Sequence, residues 1–277
     1  MGISTLDGAL AGMQPRHPFN KVASPTLVVG RPHSLWYLAG NPGAGSGPAN
    51  TAGGAVLSSS SALVNGQVPH VDPGSGNAYL ARLQAAASQA GTLLLCDRLL
   101  HIGGNSGGSA ISPTTTTAQT ITSTTLPSRD NAGAANGDGV LCALEIAGAT
   151  GAGLATPAIG YTNSAAAGSK TASLIDPYVA SSALGAFYRF GLQAGDIGIK
   201  QINTLTLSVS MASGTLALVL YRVLASLELV GAYIPNAIDA LTAGFPQLFN
   251  GTVPFFVFVP SATAAASVGG EYVETQG

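Results

Sequence analysis

The sequence predicts an all-β protein: a jelly-roll-like β-sandwich preceded by an extended N-terminal arm. Three observations lead to this fold class. Apolar and polar residues alternate with a period of two over many short segments, as in strands that bury one face. These segments follow one another at intervals of about 10–15 residues, with Gly- and Asn-rich turns between them, which is typical of a sandwich, a jelly roll or a barrel. Prolines recur through the first 48 residues and favour an extended path.

The density of apolar residues is highest between residues 199 and 229. Residues 204–211 alternate between polar and apolar side chains, which predicts a strand with one buried face. Gly214 can adopt a positive φ and predicts a tight turn. Residues 215–229 are apolar on both faces, as in a strand in the middle of a sheet that is covered on each side. We therefore predict a β-hairpin here, with the shorter strands gathered around it.

Further strands are predicted on both sides of this hairpin. The segment 79–85 suits a helix or a strand, and the turn signal at 89–91 favours a strand. One or two helical turns are predicted at 236–241, and Pro254 lies near the edge of a last apolar strand. The remaining predicted strands are 92–99, 119–125, 140–146, 158–162, 170–175, 186–192 and 253–259.

The predicted domain boundary lies at residue 75. Residues 1–75 form the extended Gly/Pro-rich N-terminal arm, and residues 76–277 form the β-sandwich body. Within the arm, residues 26–29 and 34–38 could each add a strand to a sheet, in this subunit or in another. Trp36 is the only tryptophan, and one buried aromatic side chain removes about 150–250 Å² from water. We expect Trp36 to anchor the arm, either on a neighbouring subunit or on the body of its own subunit.

The composition indicates a folded subunit of an assembly. Only 8% of the residues are charged, against about 25% in an average protein, while 46% are apolar. A surface of small, uncharged side chains has little self-repulsion and loses little side-chain entropy on contact, so it packs readily against neighbours. A freely diffusing enzyme would carry more charge. The net charge of −2 argues against a nucleic-acid-binding protein, which would carry a basic stripe.

The few charges near the two ends differ in sign. Arg16, Lys21 and Arg31 are the only charged residues between positions 8 and 71, and after Arg222 only acidic residues follow. A basic arm and an acidic C-terminal region could attract one another between subunits. The alternative is that charges this sparse are distributed by chance.

The cysteines and the N-terminal residues also limit the function classes. Cys96 and Cys142 both lie in apolar runs, where we expect buried thiols rather than a disulfide. The first ten residues lack the pattern of a secretory signal. Arg222 and Glu228 interrupt the apolar run at 216–234, which argues against a membrane span.

Three motifs resemble chemical sites. Residues 104–108, Gly-Asn-Ser-Gly-Gly, resemble the nucleophile loop of trypsin-like serine proteases, but no upstream histidine has the family's setting, and Ser106 is not expected to be catalytic. Residues 40–46 have the glycine spacing of a phosphate loop but lack its lysine. The Gly-rich turn at 130–138 offers Asp and Asn oxygens to Ca²⁺ without the spacing of an EF-hand, and these residues are also ordinary turn formers. We therefore expect no catalytic residues, no cofactor and no metal site.

Four segments together resemble structural proteins encoded among the virion genes of tailed bacteriophages. They are MGISTLDGAL (1–10), GRPHSLWY (30–37), GTLLLCDR (91–98) and FPQLFNG (245–251). Within that class, a Gly/Ala-rich β protein with an extended arm is most similar to capsid decoration, or cement, proteins. The resemblance implies a location on the outside of the phage head, often as homotrimers that bridge neighbouring capsomers.

The resemblance also implies the partners: the major capsid protein and copies of this chain, with no nucleic acid and no membrane. A phage tail or fibre component and a cell-surface β-sandwich adhesin are the alternatives. The arm then supplies the interface candidates, which are Arg16, Lys21, Arg31, Leu35, Trp36 and Tyr37.

Overall fold

The computed structural model forms two compact units, which are described separately below. Unit 1 is built from three segments of the chain and unit 2 from two. Unit 1 comprises Met1–Gly45, Ser58–Asp97 and Val223–Gly277, and unit 2 comprises Ser46–Leu57 and Arg98–Arg222. The structure describes residues 3, 5–23, 25–48, 53–61, 65–105 and 111–277.

Strands dominate the described residues, which include a single short helix. The helix is α1 (Leu6–Ala11). The strands are β1 (His17–Ala23), β2 (His33–Ser34), β3 (Gly40–Asn41), β4 (Ala55–Val56), β5 (Ala78–Ala87), β6 (Gly91–Gly103), β7 (Gln119–Thr120), β8 (Leu141–Gly148), β9 (Pro157–Asn163), β10 (Lys170–Ser173), β11 (Phe187–Arg189), β12 (Ile199–Leu207), β13 (Thr215–Leu229), β14 (Asn236–Asp239), β15 (Gln247–Leu248), β16 (Pro254–Pro260) and β17 (Ala266–Gln276).

Unit 2 is a sandwich of two antiparallel sheets. One sheet has the strand order β10-β9-β12-β7. The other has the order β11-β8-β13-β6, with β4 added beside β6. Apolar side chains from both sheets, such as Ile159 and Leu205 in the first and Leu144 and Leu218 in the second, form one continuous core. The all-β sandwich predicted from the sequence is confirmed.

Strand β13 occupies the central position that its sequence predicts. It lies between β8 and β6 and is buried over most of its length on both faces. The predicted hairpin with β12 is wrong, however, because β12 pairs with β9 and β7 in the other sheet of unit 2. The segment 208–214 therefore crosses from one layer of the sandwich to the other. Gly214 does have the predicted positive φ, at 119°.

Unit 1 contains a six-stranded antiparallel sheet with the order β14-β5-β17-β1-β3, with β15 also paired to β5. Its second layer includes β16, which pairs with β6 on one side and with β2 on the other. The rings of Phe19 on β1 and Phe256 on β16 lie 4.2 Å apart, so the two layers are in direct contact.

The N-terminal residues are divided between the two units. Residues 1–45 and 58–75, which the sequence predicts as an arm, belong to unit 1, where they supply β1, β2 and β3. Residues 46–57 belong to unit 2. The boundary predicted at residue 75 lies within the second segment of unit 1, Ser58–Asp97.

Several elements differ from the sequence prediction. Residues 236–239 form strand β14, not a helical turn. Strand β17 was not predicted, although it lies between β5 and β1 in the middle of its sheet. Residues 26–29 add no strand, and of the second arm segment, 34–38, only Ser34 does, as part of β2 (His33–Ser34). Most of the other predicted strands appear within a few residues of their predicted bounds.

Both cysteines are buried free thiols, as the sequence predicts. Cys96 and Cys142 are both fully buried and neither forms a disulfide. Burial raises the pKa of the Cys142 thiol far above its ordinary value. Across the described ranges, no helix combines the length and the apolar character that a membrane span needs.

A buried ion pair lies inside unit 2. Arg98 on β6 donates from Nη1 and Nη2 to the two carboxylate oxygens of Glu145 on β8, at 2.8 and 2.6 Å, and both side chains are inaccessible to solvent. His101 lies 3.1 Å from the same guanidinium, and burial together with the Arg98 charge lowers its pKa well below the ordinary value. His101 is therefore neutral at physiological pH, so it adds no second positive charge beside Arg98.

We expect Glu145→Gln to destabilise the protein by about 3–5 kcal/mol, because it leaves the buried Arg98 charge without its carboxylate. Urea unfolding measures this loss. The matched control is Glu228→Gln, which removes an exposed carboxylate that accepts a hydrogen bond from Thr92 and should cost under about 1 kcal/mol. Equal losses in the two variants would contradict the prediction.

Candidate interaction surface

Charged side chains are scarce on the surface because many of them are internal. Of the 22 charged residues, nine are buried. At least 19 large apolar side chains are exposed, so they outnumber the 13 charged residues that reach the surface. The buried charged residues are Lys21, Asp97, Arg98, Arg129, Asp130, Glu145, Asp176, Arg222 and Glu274.

Lys21 is one of the predicted interface residues that the structure places inside unit 1. Its Nζ donates hydrogen bonds to the carbonyl oxygens of Leu38 and Gly43, at 3.1 and 3.0 Å. Burial lowers the pKa of this amine to about 8. The side chain fixes the turn between β2 and β3 and presents no charge to a partner.

Trp36 and Leu35 lie in the core of unit 1 rather than on a surface open to a partner. Trp36 is 0% exposed, and its ring meets Phe255 edge-on at a centroid distance of 6.2 Å. A Cβ atom at Gly45 or Gly66 would lie 2.4 or 2.8 Å from atoms of the indole ring, so both positions need glycine to let the backbone approach. Of the two anchoring sites considered for Trp36, a neighbouring subunit or its own, the structure shows the second.

The remaining predicted residues are accessible. Arg31 and Tyr37 are half-buried, and Arg16 is exposed. The Arg16 guanidinium lies 3.1 Å from a carboxylate oxygen of Glu271 on β17. The attraction expected between the basic arm and the acidic C-terminal region thus occurs within one chain, and at an exposed pair it contributes little stability.

We expect Trp36→Ala to lower the free energy of unfolding of the isolated chain by about 3–5 kcal/mol, as truncation of a buried aromatic does. Thermal or urea unfolding of the purified protein measures it. Tyr233→Ala is the matched control, since that aromatic side chain is exposed and should be lost at a small cost. An unchanged melting temperature for Trp36→Ala would contradict this placement.

His33 is a buried histidine of unit 1 without a hydrogen bond to either ring nitrogen in the described structure. It lies on β2, opposite Phe258 of β16. Burial, and then the positive charge of Arg31, lower its pKa to about 4. The folded protein therefore holds this ring neutral, whereas the unfolded chain accepts a proton below about pH 6.5.

Because the folded-state pKa of His33 is the lower one, stability should be lost as the pH falls from about 6.5 towards 4. His33→Phe keeps a ring of similar size and should lose less stability than the natural chain between pH 8 and pH 5. Urea unfolding of both proteins at both pH values measures the loss of stability in each. The other titrating groups are the same in the two proteins, so their contributions cancel when the two losses are compared. Equal losses in the two proteins would rule out this role for His33.

The Gly-rich turn at 130–138 is a structural turn rather than a cation site. The two carboxylate oxygens of Asp130 accept hydrogen bonds from five backbone N–H groups, at 2.7–3.4 Å. The donors belong to Ala132, Ala134, Asn136, Gly137 and Asp138. Five N–H dipoles directed at one carboxylate leave it no open face for Ca²⁺.

Two further sites bear on catalysis. His70 contacts Glu274 through Nδ1 at 2.8 Å and Asp72 through Nε2 at 3.1 Å. Ser59 donates to Asp72 and not to His70, so the arrangement of a nucleophile beside a histidine base does not form here. Ser106 lies outside the described residues. Within the described ranges, no group of three or more His, Cys, Asp or Glu side chains could hold a metal ion.

An exposed apolar surface around α1 was not predicted from the sequence. Leu6 and Leu10 project from the helix, and Phe245 lies at the edge of an adjoining pocket. The pocket has a volume of about 330 Å³ and is lined by Ile3, Ala9, Tyr79, Phe245 and Thr275. We call these residues together with Leu6 and Leu10 the α1 surface. The sequence signal was Thr5 followed by Leu6 and Leu10, a helix N-cap before two leucines four residues apart.

Comparison with known proteins shows no family for this chain. No protein-family model matches it, and no curated protein does. Among solved structures, the chain is similar to one described as the crystal structure of the infectious bursal disease virus VP2 subviral particle. The sequence identity is 10%, the alignment covers 99% of this chain and 83% of that chain, and the TM-score is 0.17. A TM-score this low does not show a shared fold.

Proposed function

We propose that this chain is a non-enzymatic structural protein of a bacteriophage virion, which binds the outside of the capsid and stabilises contacts between capsomers. The observation that carries the proposal is the character of the surface: exposed large apolar side chains outnumber surface charges. Such a surface has little electrostatic repulsion to overcome when it meets a neighbour. Exposed apolar side chains beyond isolated positions mark interaction sites.

The buried polar groups support a structural role. Arg98 and Glu145 pair inside unit 2, Asp130 orders a turn, and Glu274 joins His70 to β17. Each of these charged groups connects elements of the fold to one another. In an enzyme, the charged groups that do chemistry gather in a cleft where substrate can reach them. Here Arg98, Glu145, Asp130 and Glu274 bond to other groups of the protein in the interior, which favours a protein whose task is to be rigid and to pack.

The capsid location rests on the resemblance of four segments to phage virion proteins and on the β-sandwich body. The proposed partners are the major capsid protein and further copies of this chain, and the proposed location is the surface of the phage head. The second candidate function is that of a phage tail or fibre component, which the same resemblance supports. A cell-surface adhesin is the third, since a sandwich with an uncharged surface also suits that role.

The test uses virions that carry this chain. Immunogold labelling should place the protein over the head, and purified protein added to heads that lack it should bind to saturation and raise the temperature at which the heads rupture. A binder that links capsomers must stabilise the head, because it favours the assembled state by mass action.

Heads of the same preparation incubated with an unrelated β-sandwich protein are the control for the rupture temperature. Gold particles on the tail would replace the proposal with the tail or fibre candidate. Virions without label, together with no binding to heads, would reject a virion role altogether.

A further inference from the structure

The helix α1 is held firmly against unit 1. It begins at the N-cap Thr5, whose hydroxyl accepts a hydrogen bond from the Gly8 N–H at 3.0 Å. Thr275 on β17 donates from Oγ1 to the carbonyl of Ala9 at 2.6 Å, and the Gln276 N–H donates to the carbonyl of Gly12 at 2.9 Å. These bonds attach both the helix and the residue that ends it to a strand in the middle of the sheet.

Despite this attachment, α1 buries none of its residues. Leu6 is 75% exposed and Leu10 is 61% exposed. Residues four apart lie on the same side of a helix, so the two leucines form one apolar ridge. Asp7, the only charged residue of α1, is turned by about 100° from Leu6 and lies off this ridge. A short helix gains most of its stability from packing its apolar side, and in the described part of the chain this side stays exposed.

The pocket beside the ridge is shaped by a strained residue. Phe245 adopts a φ of 51° and is 54% exposed, although positive φ is unfavourable for a bulky side chain. Gly244 before it also has a positive φ, at 74°, and the Phe245 N–H donates to the carbonyl of Ala240 at 2.8 Å. The loop is therefore fixed in a form that leaves the phenylalanine at the rim of the 330 Å³ pocket. A non-glycine residue persists in this conformation where the surrounding structure holds it in place.

We propose that the α1 surface is a two-fold contact between copies of this chain, in which Leu6 and Leu10 of each copy enter the pocket of the other. A contact about a two-fold axis uses the same patch on both partners, so that patch must carry both the projecting groups and the cavity that receives them. The α1 surface carries both: a leucine ridge and, beside it, a pocket with volume for an aliphatic side chain.

The exposed apolar area supplies a substantial share of what such a contact requires. A fully buried leucine or phenylalanine side chain removes on the order of 100 Å² from water. Leu6, Leu10 and Phe245, together with Met13, which bridges to the pocket residue Thr275, are 45–75% exposed, so they offer roughly 240 Å² of apolar side-chain surface per copy. A standard interface buries about 800 Å² per partner, somewhat more than half of it apolar. These four side chains therefore provide about half of the apolar part.

The inference rests on the part of the proposed function in which the chain associates with itself, and it does not depend on binding to a capsid. Sedimentation of the purified full chain without any capsid therefore tests it separately. We expect a concentration-dependent dimer. Leu6→Ser combined with Leu10→Ser should raise the dimer dissociation constant at least tenfold, while circular dichroism and the melting temperature of the monomer stay unchanged, because neither leucine is buried.

Leu154→Ser is the matched control, since Leu154 is an exposed leucine of unit 2 that does not line the pocket, and it should leave the dissociation constant unchanged. Ala9→Met is a second variant, which fills the pocket from its wall and should also weaken the dimer. A monomer at every concentration, an oligomer that both α1 variants leave intact, or a trimer in place of the dimer would each overturn the proposal. If the chain forms the dimer but does not bind phage heads, the proposed capsid function is rejected and the dimer proposal stands.

Discussion

The fold depends on one strand that must be covered on both faces. Strand β13 has 15 residues, of which 11 are buried, including every residue from 216 to 222. A strand of this kind cannot lie at an edge or face water, so it requires a hydrogen-bonded neighbour on each side and a layer above and below. In the structure β8 and β6 are those neighbours, and within unit 2 the sheet of β9 and β12 covers one face. The apolar side chains of Leu216, Leu218 and Leu220 fix this arrangement, because any shift by one residue would exchange the two faces.

Elements that a local residue pattern defines were predicted correctly, and elements that depend on distant partners were not. Strands β6, β8 and β13 were predicted because their apolar runs identify them locally. Strand β17 was missed because Gly269, Gly270 and Glu271 have no strand signal of their own, and its position comes from pairing with β5 and β1. The hairpin between β12 and β13 was wrong for the same reason. A turn signal at Gly214 shows that the chain reverses, but not whether the next strand joins the same sheet.

The interface candidates show a similar limit. Composition correctly indicated a surface poor in charge, and the arm was the natural place to look for contacts. Lys21 and Trp36 instead lie inside unit 1, where carbonyl groups and two glycines accommodate them. A sequence does not reveal that a lysine will find carbonyl oxygens, because its acceptors Leu38 and Gly43 carry no pattern of their own. The exposed ridge on α1 was missed because a six-residue helix is too short for a periodic signal.

The position of β17 determines when the protein can fold during its synthesis. Unit 2 is formed mainly by residues 98–222 and can assemble its layers while the chain is still growing. The large sheet of unit 1 pairs β1, at residues 17–23, with β17, at residues 266–276. Nearly 250 residues must therefore be synthesised after β1 before it can pair with β17. Until β17 has left the ribosome, β1 and β5 present open edges on the nascent chain, and chaperone protection of these edges matters over that whole interval.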